Sequence, residues 1–79
     1  MWKEKNDKLY QKFEFKTFVE AFSFMTGVAL LAEKADHHPT WKNTYNKLEI
    51  WLSTHDAGDI VTAKDTKLAK QIDELKPVA

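Results

Sequence analysis

The chain predicts an α+β domain: an antiparallel three- to four-stranded sheet with two helices packed on one face, in the order β-β-α-β-(β)-α. Two stretches of period-two hydropathy, within residues 9–16 and 47–54, mark strands that are apolar on one side and polar on the other. Two stretches of helical spacing, 17–35 and 62–75, follow them in turn. Turn residues ahead of the first of these strands supply the third observation, a hairpin that opens an antiparallel sheet.

Asn6, Asp7 and Lys8 reverse the chain, so that Trp2 to Lys5 pairs back as a short edge strand. On the strand that follows, Leu9, Gln11, Phe13 and Phe15 point one way, and Tyr10, Lys12, Glu14 and Lys16 the other. From Thr17, placed as an N-cap, to about Ala35 the spacing is helical, with Phe18, Phe22, Met25, Ala29 and Ala32 stacked along one face. Val19, Ala21, Phe24, Val28 and Leu31 widen the apolar arc and leave a narrow polar strip through Glu20, Ser23 and Gly27. Such an arc suits a core helix in a crowded monomer, or a helix packed both on its own sheet and on another subunit. Pro39 removes a donor and biases His38 toward an extended backbone, which ends the helix near the histidines and makes a loop of Asp36 to Asn43.

Leu48, Ile50, Leu52 and Thr54 then alternate with Lys47, Glu49, Trp51 and Ser53. This is a second strong strand, open to a break near Tyr45 and Asn46, that delivers His55 at its end; Trp51 falls on its charged side. Ala57, Gly58 and Asp59 form a turn. Thr62 and Asp65 have N-cap and N3 spacing, and Leu68, Ile72 and Leu75 form the inner stripe of a last helix that stops before Pro77.

One domain spanning 1–79 accounts for the length, and a chain of this size removes only roughly 60% of its unfolded surface from water. The core is therefore marginal, and self-association would help it. Twelve basic and twelve acidic residues, interspersed, cancel, which leaves no long-range attraction for a nucleic-acid backbone or an anionic membrane. The absence of cysteine excludes disulfides and thiolate nucleophiles. No internal repeat, phosphate-binding glycine loop or serine nucleophile motif is present, so nucleotide-dependent and acyl-transfer chemistries have no support. Met1 to Lys5 lacks a basic stretch leading into an apolar run, and no apolar segment approaches the about 18 residues of a membrane span, so a cytoplasmic location is expected.

The candidate chemistry lies in the three histidines, the adjacent His37 and His38 before Pro39, and His55. An imidazole, with an ordinary pKa of about 6.5, gives or takes a proton near neutrality according to its surroundings. Glu33 and Asp36 supply carboxylates to orient the rings, and Trp41 an aromatic face for a planar ligand. From spacing alone other readings stand. The pair can be solvent-facing loop residues and His55 a turn residue; Glu33, Asp36 and Asp65 can be helix-end and loop acids, and Trp41 a plug for the core. Three imidazoles with Glu33 or Asp36 would also be an acceptable zinc set, although adjacent side chains diverge where zinc ligands must converge.

The run Ala32-Glu33-Lys34-Ala35-Asp36-His37-His38-Pro39, then Trp41, Tyr45-Asn46-Lys47 and Ser53-Thr54-His55-Asp56-Ala57-Gly58, closely resembles the signature of the pterin-4a-carbinolamine dehydratases. The similarity runs from about Phe13 to Asp73 and includes Phe13, Phe15 and Phe18 and the Thr-x-x-Asp start of the last helix. The resemblance implies dehydration of 4a-hydroxytetrahydropterin to quinonoid dihydropterin, which recycles the pterin cofactor of aromatic amino acid hydroxylases, with no metal or organic cofactor. By resemblance His37, His38 and His55 are the acid/base and pterin-binding histidines, His37 and His55 transferring protons and His38 touching the ligand. Glu33, Asp36 and Asp65 support the pocket and Trp41 lines it. It also implies a homodimer or homotetramer built through sheet edges and the central helix; on the charge balance, neither nucleic acid nor membrane is expected as a partner. The alternative is a non-catalytic dimerisation or regulatory module, since an animal branch of the family binds a homeodomain transcription factor. The chain departs from the pattern at Thr40, where an acid is frequent, in a longer Asp59-Ile60-Val61 loop, and in lacking a helix before the first strand. None of these touches the histidines.

Overall fold

The computed structural model describes residues 1–75, so Pro77 lies outside the described residues. Strands β1 (Lys3–Lys5) and β2 (Lys8–Glu14) precede helix α1 (Phe18–Ala35); β3 (Thr40–Thr44), β4 (Lys47–Leu52), a single 3₁₀ turn (His55–Ala57) and α2 (Ala63–Leu75) follow. The sheet is fully antiparallel in the order β1-β2-β4-β3, so the long strands β2 and β4 form its centre. Both helices cover one face, as the hydropathy pattern predicts. Among the described residues no helix is long and apolar enough to cross a membrane.

The first hairpin turns through Asn6 and Asp7, whose φ values of 53° and 62° fit a two-residue turn that follows the twist of the strands. In the second, Tyr45 takes a φ of 52°, and Asn43 Nδ2 donates to the Tyr45 and Lys47 carbonyls. Asn46 exchanges hydrogen bonds with the Phe15 backbone, which fastens this turn to the end of β2.

The inner positions Phe13, Leu48, Ile50 and Leu52 meet Phe24 and Val28 of α1 and Leu68, Ala69 and Ile72 of α2 in one core. Phe24 sits between Phe13 and Phe15, with ring centroids 4.9 and 5.2 Å away. On the sheet's outer face Tyr10 stands opposite Trp51, rings 5.3 Å apart, and donates to Glu49.

Four expectations need correction. The predicted inner face of α1 is rotated: Ala21, Phe24, Val28 and Ala32 are buried, whereas Phe18 and Phe22 remain 45% and 54% exposed and Ala29 faces solvent. A helix apolar nearly all round has no strong preferred face, and the small Ala21 and Ala32 let the backbone approach the sheet where phenylalanines would hold it off. The Asp36 to Asn43 loop is only half loop, because β3 starts at Thr40 on the edge of the sheet, directly after Pro39. Its pattern is hard to read since only Trp41 among the inward positions is apolar. Leu75 is not an inner residue of the core; it lies partly exposed against Gly27. Finally, β4 ends at Leu52, and His55 opens the 3₁₀ turn instead of closing a strand.

Candidate active site

Helix α1 ends on Asp36, which adopts the left-handed conformation (φ 51°, ψ 44°) while its N–H bonds back to the Ala32 and Glu33 carbonyls. Asp tolerates this conformation better than most residues. The His37 N–H then reaches the Ala32 carbonyl at 3.0 Å, so the cap fixes the direction in which the first histidine leaves the helix.

The His37 side chain is 11% exposed and its Nε2 lies 2.5 Å from Oδ1 of Asp65, which is wholly buried. Asp65 belongs to the first turn of α2, and its Oδ2 accepts from the Thr62 backbone N–H (2.9 Å) as the reciprocal arm of a capping box. That oxygen also accepts from Thr54 Oγ1 at 2.8 Å, and Thr54 Oγ1 lies 2.6 Å from Thr62 Oγ1. Four segments thus meet on one carboxylate: the end of α1, the second residue after β4, the loop before α2, and α2 itself. An ionised carboxylate only accepts, so the proton of a neutral His37 ring stays on Nε2 and leaves Nδ1 with its lone pair.

The other histidines repeat the pairing at the surface. His38 Nε2 is 2.9 Å from Glu33 Oε1, with both side chains more than half exposed. His55 Nδ1 is 3.1 Å from Asp59 Oδ1, and its ring is 88% exposed. The hydrogen bond that its Nδ1–H donates to Asp59, with the negative charges of Asp59 and then Asp56, holds His55 above the ordinary imidazole range. Among the described residues each ring pairs with a carboxylate and none with another histidine, and no three His, Asp or Glu side chains converge to hold a metal ion.

The sequence-predicted residues therefore divide. His37 and Asp65 form a buried unit, and Thr54, bonded to Asp65, brings the chain to within one residue of His55 at the same end of the sheet. Glu33 is joined to His38, Asp36 caps α1, and Trp41 is half-buried against the core from the inner side of β3. Thr54 was not anticipated as a site residue. Its signal was a polar side chain at the inward position after Leu48, Ile50 and Leu52.

A hollow of about 300 Å³ between the end of α1 and the start of α2 has His37 in its wall, together with Lys34, Lys64, Lys67 and Gln71 over Leu31 and Leu68. His38 and His55 stand outside it. A larger hollow of about 970 Å³, between Phe15, Val19 and Leu75, contains no histidine. The titratable groups, and not the larger volume, mark the candidate site.

The model of the family described as pterin 4 alpha carbinolamine dehydratase matches residues 1–75. A relative from Prochlorococcus marinus, grouped with those dehydratases, is 54% identical over 74 residues, which is 94% of this chain and 77% of the relative. The crystal structure of a transcriptional coactivator/pterin dehydratase from Brucella melitensis superposes with a TM-score of 0.91 at 38% identity, covering 96% of this chain and 82% of that one. A pterin dehydratase-like protein identified as a RuBisCO assembly factor in the alpha-carboxysome shares the fold, with a TM-score of 0.77 at 20% identity over 100% of this chain and 90% of its own. With a family match along all the described residues, and a close relative spanned over most of its length, the chain belongs to the pterin-4a-carbinolamine dehydratase family.

Proposed function

We propose that this protein dehydrates 4a-hydroxytetrahydropterin to quinonoid dihydropterin by histidine acid/base catalysis, and so returns the pterin cofactor of aromatic amino acid hydroxylases to use. The observation that carries the reading is the His37–Asp65 pair, a nearly buried imidazole held by a carboxylate that two further donors, Thr54 Oγ1 and the Thr62 N–H, fix in place. A family of dehydratases supplies the reaction class. The elimination breaks the C4a–O bond and forms a C4a=N5 double bond. One proton goes to the departing hydroxyl, which leaves as water, and one comes off N5.

His37, with Nδ1 free to accept in its neutral form, suits the base that takes the N5 proton. His55, held above the ordinary range by Asp59 and Asp56, is protonated at higher pH than a free imidazole and suits the acid that feeds the hydroxyl. His38 contacts the ligand. Glu33 orients His38, Asp36 sets the exit of the histidine pair from α1, Asp65 orients His37, and Trp41 backs the pocket. The reading requires His55 to close over the ligand beside His37. Stopped-flow dehydration of 4a-hydroxytetrahydropterin by the His37→Ala, His38→Ala and His55→Ala variants tests it. Loss in His37→Ala and His55→Ala supports the roles given, and undiminished rates in all three end the proposal.

The exposed apolar face of α1, Phe18, Val19, Phe22 and Leu30, favours a second reading, a dimerisation or regulatory module. Full partner binding by a catalytically dead variant would support the module. The same face serves a homodimer or homotetramer of the enzyme, so the two readings share a surface and differ in whether the histidines matter.

A further inference from the structure

The hollow beside His37 is more cationic than a chain of zero net charge leads one to expect. Lys34, Lys64 and Lys67 line it, no carboxylate does, and among the described residues none of the three ammonium groups is in an ion pair. The Asp65 carboxylate, joined to the His37 ring in that wall, is wholly buried and already engaged by three donors. Lys64 and Lys67 stand one turn apart on the same face of α2, and Lys34 faces them from the last turn of α1. Folding does not account for Lys64: the first turn of a helix carries the positive end of its dipole, where a cation is disfavoured. Gln71 adds an amide to the wall, and Leu31 and Leu68 give it an apolar floor.

Three unneutralised cations around a small concave space, sharing one wall with the candidate base, match a substrate that is a flat heterocycle with a charged appendage. Resting on the pterin reading above, we propose that this hollow receives an anionic side chain of the substrate, a phosphate ester, so that the preferred substrate class is a phosphorylated pterin. The ring stays at the histidines and the phosphate falls among Lys34, Lys64 and Lys67. A volume of about 300 Å³ is ample for a phosphate and the two or three carbons that carry it.

Binding of neopterin and of neopterin 3′-monophosphate to the full chain, followed by tryptophan fluorescence, tests the proposal. The monophosphate is expected to bind about tenfold tighter at low ionic strength, with the advantage shrinking as salt is added. Inorganic phosphate should compete with the monophosphate and not with neopterin. In the Lys64→Gln/Lys67→Gln double variant the ratio of the two dissociation constants should fall to about one, while Lys64→Arg/Lys67→Arg keeps it. Equal affinities with neopterin still bound would overturn this proposal and leave the pterin reading standing. A preference that survives the glutamine substitutions would overturn it as well, and failure of both compounds to bind would overturn this proposal and the pterin reading together.

Discussion

His37 depends on a carboxylate 28 residues away, and the three donors on that carboxylate give it little freedom. Asp65→Asn is expected to set an amide N–H against one of them. It should cost about 1–3 kcal/mol in denaturant unfolding and lower the dehydration rate by releasing the His37 tautomer. Thr54→Val keeps the volume and removes one donor, so a similar or smaller loss of stability should come with a smaller loss of rate. His37→Ala should lower the rate by about 10²–10⁴, the usual worth of a general acid or base, as read by stopped flow. His55 gives a pH prediction. Its folded pKa is raised by Asp59, and an acid works only below its pKa, so activity should fall as pH rises through that value. Asp59→Asn removes the largest cause of the shift and should move the alkaline limb of the kcat/KM profile to lower pH; an unmoved limb would take the acid role from His55. Residue types and the Thr62–Asp65 capping box were legible in the sequence, because both are local. That the remaining oxygen of Asp65 would hold His37 was not, since the pairing depends on how α2 docks beside the end of α1.

The elements themselves were legible wherever a period was pure. The central strands β2 and β4 and the start of α1 at Thr17 follow the pattern, and Thr17 Oγ1 accepts from the Glu20 N–H as an N-cap should. The rotation of α1 was not legible, because an arc that wide offers several nearly equal faces and close packing at Ala21 and Val28 selects one. Edge strand β3 was hidden by polar residues on both of its sides. Gly27, read as part of a polar strip, is where α1 meets α2: a Cβ there would lie 3.0 Å from Leu75 Cδ1. Leu75 is partly exposed and its contacting atom is the end of a flexible side chain, so a small displacement relieves the contact. Helix propensity favours Ala over Gly by about 1 kcal/mol, and Gly27→Ala should therefore stabilise the protein by about 0.5 kcal/mol in thermal or urea unfolding. At the other end of the helix, Asp36→Val places a β-branched residue at positive φ. It should destabilise by at least about 1 kcal/mol, whereas Asp36→Gly should be neutral or better.

At the scale of the whole molecule the question is what a small domain does with its unburied apolar surface. Phe18, Val19, Phe22 and Leu30 lie on the side of α1 turned from the sheet, and the Phe18 and Phe22 rings pack together with centroids 5.9 Å apart. Four large apolar side chains on one exposed helix are unusual for a monomer, and so short a chain buries little elsewhere. Pairing this face with that of a second copy would remove it from water and add to a marginal core. Association then couples to folding, because the oligomer forms only from folded chains. The melting temperature should accordingly rise with protein concentration. Phe22→Glu, which places a charge at the centre of the patch without touching the core, should give a monomer by sedimentation velocity, with a lower melting temperature that no longer responds to concentration. A wild-type monomer at every concentration would refute the assembly. If Phe22→Glu retains the dehydration rate, catalysis belongs to the single chain. If it loses the rate while staying folded, assembly is what brings His55 and the ligand to His37.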